Sequence, residues 1–197
     1  MFNQNQPKQN SIFKDFFIFI WEIFKVVVIS LAIIIPVRYF LIQPFYVKGA
    51  SMEPNFEDHQ YLIIDELTYR FKHPERGQVV VFRYPLNPRE YFIKRVIGLP
   101  GEKLEIQGEK IIVYNENYPN GLELNESYLS PEAKNTGQLS VELAADEYYL
   151  MGDNRTESLD SRFFGPVRRQ YLIGKVLFRG WPLDKVGLFL EPPDYSQ

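Results

Sequence analysis

The sequence contains no cysteine and only two histidines. The lack of cysteine excludes disulfide bonds, thiolate metal sites and a cysteine nucleophile. The two histidines, His59 and His73, lie in no recognisable motif, so neither supports a histidine-based site. The side chains that can carry chemistry in this chain are therefore hydroxyls, amines and carboxylates.

A strong excess of one charge is also absent, because the formal net charge is -3 at pH 7 and the isoelectric point is about 5.5. A nucleic-acid partner would favour a basic face, so none is predicted. At 197 residues the chain holds one domain, or one domain with an embellishment. A domain of about 150 residues buries most of the surface that its unfolded chain exposes, so a real core is expected.

One long apolar run dominates the start of the chain, at residues 16–39. A bilayer span needs roughly 20 such residues. Residues 26–37 alone are too short, so the span must include Glu22 and Lys25, which lie one helical turn apart and can pair. A cleaved signal peptide is less well supported because the run is long and no A-x-A site follows it. A buried soluble helix would carry its apolar residues on one face only, whereas here they surround the helix.

The pattern changes to short apolar runs separated by Gly, Pro and Asn after Gln43-Pro44, a pair that is expected to end the helix. Runs rich in Val, Ile, Tyr and Phe are typical of β strands. The predicted strands are residues 45–48, 61–65, 79–84, 91–97, 103–107, 110–114, 147–151 and 171–179, with a hairpin turn at 107–109. The predicted divisions are a polar tail at 1–15, a transmembrane helix at 16–39 and a β-rich domain at 40–197. The last includes an inserted region at about 103–145, whose polar stretch 115–140 is assigned no chemistry.

Two short segments carry a chemical signal, at residues 49–54 (GASMEP) and 91–96 (YFIKRV). The first places Ser51 on a turn, and the second places Lys94 on the same face of a strand as two apolar neighbours. Burial lowers the pKa of an amine, and a neutral amine can take the proton of a hydroxyl nucleophile. Each residue alone is weak evidence, because most lysines snorkel or pair with a carboxylate and serine is common in turns.

A third segment, at residues 152–162, is a polar loop that follows a predicted strand. Asp160 and Arg162 can form a bidentate pair that locks the loop. The Ser158 hydroxyl can orient an amine. Cation binding by Asp153 and Asp160 is an alternative, but the nearby arginines argue against it, so no metal or cofactor is predicted.

Together these segments resemble the bacterial type I signal peptidases (leader peptidases), proteases with a serine/lysine dyad. Four motifs occur in the order of that family, after an apolar span. They are Ser51-Met52-x-Pro54, residues 76–82, residues 94–102 and residues 152–162, followed by a similar tail at 174–182.

The resemblance implies a mostly antiparallel β, barrel-like catalytic domain with one N-terminal transmembrane helix. It implies a membrane-bound serine endopeptidase that removes signal peptides after Ala-x-Ala sites. Ser51 would be the nucleophile, with its backbone N–H donating to the oxyanion, and Lys94 would be the general base oriented by Ser158. The implied supporting residues are Asp160, Arg162, Asp153 and Arg155, and the candidate walls of the substrate pockets are Phe45, Val47, Phe56 and Ile93.

The implied partners are secretory preproteins and the lipid bilayer, close to the secretion translocon. The implied location is the cell (cytoplasmic) membrane, with one span and an extracytoplasmic catalytic domain; the flanking charges do not set an orientation. The sequence departs from the family at Gly49, where many members carry a hydroxyl that completes the oxyanion hole, and at Asn55, where threonine is usual. Losing one oxyanion donor can cost about two to three orders of magnitude in rate. We expect little effect at Asn55, because its side chain can still form turn hydrogen bonds.

Two other functions remain open from the sequence. One is another serine/lysine protease, of the self-cleaving repressor type or the conjugation type. The other is a membrane-anchored β domain that binds peptides or scaffolds an envelope complex without catalysis. Cleavage of a precursor in trans would separate the first from a signal peptidase. The second gives no reason for Ser51, Lys94 and Ser158 to converge in space.

Overall fold

A computed structural model describes residues 9–40, 42–133, 135, 137–189 and 195, with only the backbone described at 9–13, 36–40 and 42–43. The chain divides into two compact units, residues 1–41 and 42–197. The elements in chain order are α1 (Gln9–Phe40), β1 (Ile42–Tyr46), β2 (Tyr61–Asp65), α2 (Thr68–Phe71), β3 (Val79–Tyr84), β4 (Asn87–Gly98), β5 (Lys103–Gln107), β6 (Lys110–Tyr114), β7 (Leu122–Glu123), β8 (Gln138–Glu142), β9 (Glu147–Met151), α3 (Ser161–Phe164), β10 (Val167–Arg168), β11 (Leu172–Trp181) and β12 (Gly187–Leu188).

Helix α1 contains a stretch, Lys14–Ile35, that is long and apolar enough to cross a membrane. Every side chain in that stretch is exposed within the protein itself, as expected of a helix that packs against lipid. The predicted ion pair between Glu22 and Lys25 forms, since Nζ of Lys25 lies 2.6 Å from Oε1 of Glu22. The helix begins earlier than predicted, because residues 9–15 of the expected tail are helical. Residues 1–8 lie outside the described part of the chain.

The second unit is mostly antiparallel β-sheet, which confirms the predicted fold class. Its larger sheet has the strand order β1-β2-β11-β3-β4-β9-β10, with β12 paired to β11. Its smaller sheet, with the order β7-β6-β5-β8, is built from the inserted region. The predicted hairpin joins β5 and β6 through Gly108, whose φ of 62° glycine adopts without steric cost.

Strand β3 explains how the larger sheet is packed. Its residues Val79–Phe82 are all buried, because the strand has a core on each face. Val79 and Val81 pack into one apolar cluster, and Val80 and Phe82 pack into the other. A strand that is covered on both faces reads as a continuous apolar run rather than an alternating one.

Several strand boundaries differ from the prediction. The predicted strand 45–48 is shifted, because β1 covers Ile42–Tyr46 and includes Pro44. Proline is tolerated there because β1 is an edge strand that pairs only with β2 among the described strands. Strand β4 is longer than predicted. No clear pattern in the sequence predicts β7, β8, β10 and β12, three of which are two residues long.

A buried ion pair links the two sheets. Nη2 of Arg76 donates to Oε1 of Glu102 at 2.5 Å. The other oxygen of Glu102 accepts from the backbone N–H of Leu99 at 2.8 Å, and Nδ2 of Asn115 donates to Oε1 at 2.7 Å. Glu102 thus joins the β4–β5 connection to the end of β6.

We expect Glu102→Ala to lower the free energy of unfolding by about 3–5 kcal/mol, because it leaves a largely buried guanidinium without its anion. Thermal denaturation of the full chain in detergent micelles measures the loss. The matched control is Glu123→Ala, which breaks an exposed pair with Lys110 and should cost less than about 1 kcal/mol. Equal losses in the two variants would contradict the assignment.

Candidate active site

Ser51 and Lys94 meet at the bottom of a cleft. Ser51 lies on the turn after β1, and Lys94 lies on β4 with only 3% of its surface exposed. Nζ of Lys94 lies 2.8 Å from Oγ of Ser51 and donates to the backbone oxygen of Ile93 at 2.8 Å. The amine also lies 5.5 Å from the centroid of the Phe92 ring, on the strand face that the sequence predicted.

Burial lowers the pKa of the Lys94 amine from 10.5 to about 8, because desolvation penalises the charged form. The negative charges of Asp160 and Asp153 act in the opposite direction, and the positive charge of Arg162 adds to the lowering. At a pKa of about 8, roughly a tenth of the amine is neutral at pH 7. The lysine therefore has a populated form that can accept a proton from the hydroxyl.

The loop at residues 152–162 packs directly against the Ser51 turn. The backbone N–H of Asn154 donates to the backbone oxygen of Ser51 at 3.1 Å. A Cβ at position 152 would overlap Oγ of Ser158 and the backbone oxygen of Ser51, so only glycine fits. The close approach of Gly152 thus fixes the distance between this loop and the Ser51 turn.

Asp160 and Arg162 form the bidentate pair that the sequence predicted, with both N···O distances at 2.8 Å. Asp160 also accepts from the backbone N–H of Gly152 at 3.0 Å and caps α3 by accepting from the N–H of Arg162. Burial alone would raise the pKa of Asp160, but these hydrogen bonds and the Arg162 charge hold it below its usual value. The carboxylate therefore stays ionised and keeps the loop closed.

Ser158 is buried beside Gly152 and lies close enough to Asp160 to help lower the pKa of that carboxyl, but its Oγ meets no partner at full hydrogen-bond geometry among the described residues. The predicted hydrogen bond from Ser158 to the amine is therefore not formed here. The backbone oxygen of Ile93 orients Nζ instead. That carbonyl belongs to the residue next to Lys94, and side-chain motifs alone gave no indication of it.

Asp153 is fully buried and anchors the loop to β4. It accepts from Nε and Nη2 of Arg95, at 2.8 and 2.5 Å. Nδ2 of Asn55 donates to Asp153 at 2.9 Å and also to the backbone oxygen of Tyr128 at 2.9 Å. Asn55 thus bridges three segments, whereas the sequence predicted a local turn hydrogen bond for it.

Arg155 binds the inserted region, which the sequence analysis assigned no chemistry. Both of its terminal nitrogens donate to Glu126, and Nη1 also donates to Oδ1 of Asn135 at 2.5 Å. Nη2 donates to the hydroxyl of Tyr128 at 3.2 Å. A fully buried arginine requires an anion, but several carboxylates in residues 115–140 fit that requirement and nothing in the sequence selects Glu126.

The cleft that holds the Ser51–Lys94 pair has a volume of about 350 Å³ and is lined mainly by residues 45–51 and 91–94. Phe45, Val47 and Ile93, three of the four predicted wall residues, line it. Phe56, the fourth predicted wall residue, does not line this cleft, because it is 1% exposed and packs in the core against Phe189. Leu62, Val81, Tyr91, Glu157 and Leu159 also contribute to the lining.

Two strand edges border the cleft. β1 pairs only with β2, and residues 87–94 of β4 pair only with β3, among the described strands. The N–H and C=O of Val47 point to the β2 side, and those of Val96 point to the β3 side. By alternation, the backbone groups of Tyr46 and Ile93 point away from those partners. The rings of Phe45 on β1 and Tyr91 on β4 are in contact, with their centroids 5.6 Å apart. The sheet therefore curls and brings the two edges together.

The turn that carries Ser51 begins at Gly49, which has a φ of 87° and donates its N–H to Oδ1 of Asp58 at 3.0 Å. Asp58 thus holds the turn at Gly49, the position where many members of the family carry a hydroxyl side chain. Among the described residues, no group of three acidic, histidine or cysteine side chains lies close enough together to hold a metal ion.

A buried amine in contact with a hydroxyl, in an open cleft of a curled antiparallel sheet, is an arrangement suited to nucleophilic catalysis by a hydrolase. The family described as signal peptidase, peptidase S26, matches residues 20–181. The chain belongs to this family and is a peptidase, which confirms the resemblance of its motifs.

Three relatives illustrate the similarity. The chain is 36% identical to signal peptidase I of Leptolyngbya laminosa over 97% of its own length and 91% of the relative. It is 36% identical to probable signal peptidase I-2 of Synechocystis sp. over 86% of its length and 77% of the relative. It is 30% identical to signal peptidase IB of Staphylococcus aureus over 84% of its length and 92% of the relative. A crystal structure of a signal peptidase I from Enterococcus faecalis aligns with 53% of this chain and 97% of its own, at 29% identity and a TM-score of 0.44.

We expect Gly152→Ala to lower peptidase activity by about 10²-fold, because the added methyl group must displace the Ser51 turn or Ser158. Initial rates with a fluorogenic peptide measure the loss. Gly180→Ala is the matched control, because a Cβ there would meet its nearest atom at 3.4 Å. Wild-type activity in Gly152→Ala would contradict the tight packing of this loop.

Proposed function

We propose that this peptidase is a serine endopeptidase that removes signal peptides from secretory preproteins, with Ser51 as nucleophile and Lys94 as general base. The observation that carries the proposal is the 2.8 Å contact between a buried amine of lowered pKa and a hydroxyl on an open cleft. The names of the relatives supply the substrate class.

The proposed reaction begins with the neutral amine of Lys94, which takes the proton of the Ser51 hydroxyl as Oγ attacks the scissile carbonyl carbon. The backbone N–H of Ser51 donates to the resulting oxyanion. The protonated amine then gives its proton to the leaving nitrogen, which leaves an acyl ester on Oγ. Neutral Lys94 next takes a proton from water, whose oxygen attacks the ester and releases the acid.

The substrate would bind as an extended strand between the open edges of β1 and β4. The outward groups of Tyr46 and Ile93 would pair with the peptide backbone. Phe45, Val47 and Ile93 would form shallow walls that suit small side chains, in agreement with Ala-x-Ala sites. Asp153, Arg155, Ser158, Asp160 and Arg162 would support the dyad by holding the loop at residues 152–162 against Ser51.

Helix α1 would anchor the enzyme in the cell membrane as a single span, with the catalytic unit on the extracytoplasmic side where mature proteins emerge. A precursor that is held in the same bilayer by its own apolar segment reaches a higher effective concentration without new contacts. The preproteins and the bilayer would be its partners, and the secretion translocon would lie nearby.

We expect Ser51→Ala to abolish cleavage of an Ala-x-Ala precursor added in trans, because no nucleophile remains. Lys94→Met should lose about 10²- to 10⁴-fold, because it retains the apolar stem but removes the base. Gel analysis of precursor processing by the full chain in micelles measures both. Ser140→Ala and Lys103→Met, at surface positions, are the controls. Full activity in either dyad variant, or cleavage only of the enzyme itself, would refute the proposal.

The activity should depend on pH through the protonation of Lys94. Because the proposed base must be neutral, kcat should fall as pH decreases through the pKa of Lys94, with a midpoint at about 8 and a plateau above it. The acidic limb of the kcat profile, measured with saturating peptide, gives the midpoint. A midpoint near the ordinary lysine pKa of about 10.4 would show that the amine is not desolvated during catalysis.

A further inference from the structure

We propose that Glu126, in the inserted region, is a positioning residue for the Ser51–Lys94 dyad and acts through Arg155. The inference rests on the proposed function of Ser51 and Lys94. It assigns a part in the reaction to a segment that carries none of the family motifs.

Arg155 lies in a fully enclosed environment. Its side chain is 0% exposed, so its charge cannot be stabilised by bulk water. Glu126 accepts from both terminal nitrogens and is itself only 9% exposed. Asp153, the other carboxylate beside Arg155, already accepts two hydrogen bonds from Arg95. Glu126 is therefore the anion that compensates the buried Arg155 charge.

Arg155 is linked to the dyad through Gly152. Nε of Arg155 donates to the backbone oxygen of Gly152 at 2.9 Å. The N–H of the same glycine donates to Asp160, and the space that a Cβ would need at this position is filled by Ser158 and the backbone oxygen of Ser51. Gly152 is thus fixed by Arg155 through its carbonyl and by the active-site loop through its N–H. A shift of Arg155 therefore moves Gly152. Because Gly152 is tightly packed against the Ser51 turn, the shift is transmitted to Ser51.

The position of this loop affects the pKa of Lys94. Desolvation is the largest influence on the pKa of its amine. If the loop at residues 152–162 moves away from Ser51, water enters and the desolvation decreases. The pKa of Lys94 then rises toward the ordinary lysine value, and the Ser51–Lys94 distance is no longer fixed. Loss of Glu126 therefore lowers kcat and moves its pH dependence, whereas the cleft walls Phe45, Val47 and Ile93 keep their positions.

The variants are Glu126→Gln, which keeps the shape but removes the charge, and Glu126→Ala, with Glu123→Gln as the matched surface control. All are measured as the full chain in micelles with an Ala-x-Ala peptide. We expect kcat of Glu126→Ala to fall about 10²-fold with KM within about twofold, and the acidic limb of kcat to move to higher pH. Glu126→Gln should show a smaller change in the same direction, and Glu123→Gln should match the wild type.

A double-mutant cycle tests the route. If Glu126 acts through Arg155, Glu126→Ala/Arg155→Ala loses no more activity than Arg155→Ala alone. If the fold-losses of the two single variants multiply in the double variant, the inference is overturned. It is also overturned if the acidic limb of the kcat profile stays at the wild-type pH in Glu126→Gln, the variant that folds most readily. A fall in activity that only follows the folded fraction, measured by circular dichroism, would also overturn it. In each of these cases, cleavage by the wild-type enzyme and loss of cleavage in Ser51→Ala would still support the proposed function.

Discussion

The burial of the Lys94 amine against the Ser51 hydroxyl is the constraint on which the rest of the site depends. A lowering of the pKa from 10.5 to about 8 corresponds to about 3 kcal/mol of preference against the charged form. The fold produces this environment by placing Lys94 at the point where β4 leaves its open edge and enters pairing with β9. The amine is then enclosed by the sheet on one side and by the loop that contains Gly152 on the other.

The charges around the amine follow from the same constraint. Two carboxylates near Lys94 would stabilise its protonated form and oppose its use as a base. Each of them is bound to an arginine, Asp160 to Arg162 and Asp153 to Arg95. The arginines offset much of the negative potential while the carboxylates hold the loop. This pairing allows a densely charged loop to lie beside a lysine whose pKa is lowered to about 8.

The sequence predicted the parts of the site that depend on local geometry. Strand alternation placed Lys94 on an apolar face, and residues two apart on a tight loop gave the Asp160–Arg162 pair. The partners of Arg155 could not be predicted, because Glu126 lies 29 residues away in a segment with several equivalent carboxylates. Phe56 was predicted to line a pocket but lies in the core, and it is in a bend, where the two-residue alternation of a strand gives no guide to the direction of a side chain. The main strands followed from their β-branched and aromatic runs, but β7 and β10 are too short to carry a pattern.

Pro44 has a consequence for solubility. An open sheet edge that can accept a peptide can also accept a strand from another copy, which is a common route to aggregation. By the alternation seen at Val47, the outward position next to Tyr46 along β1 is Pro44, which has no N–H to offer. A strand that pairs with this edge therefore loses its backbone hydrogen bonds after a few residues. The edge is long enough to hold a short extended peptide and too short to seed continuous stacking of sheets.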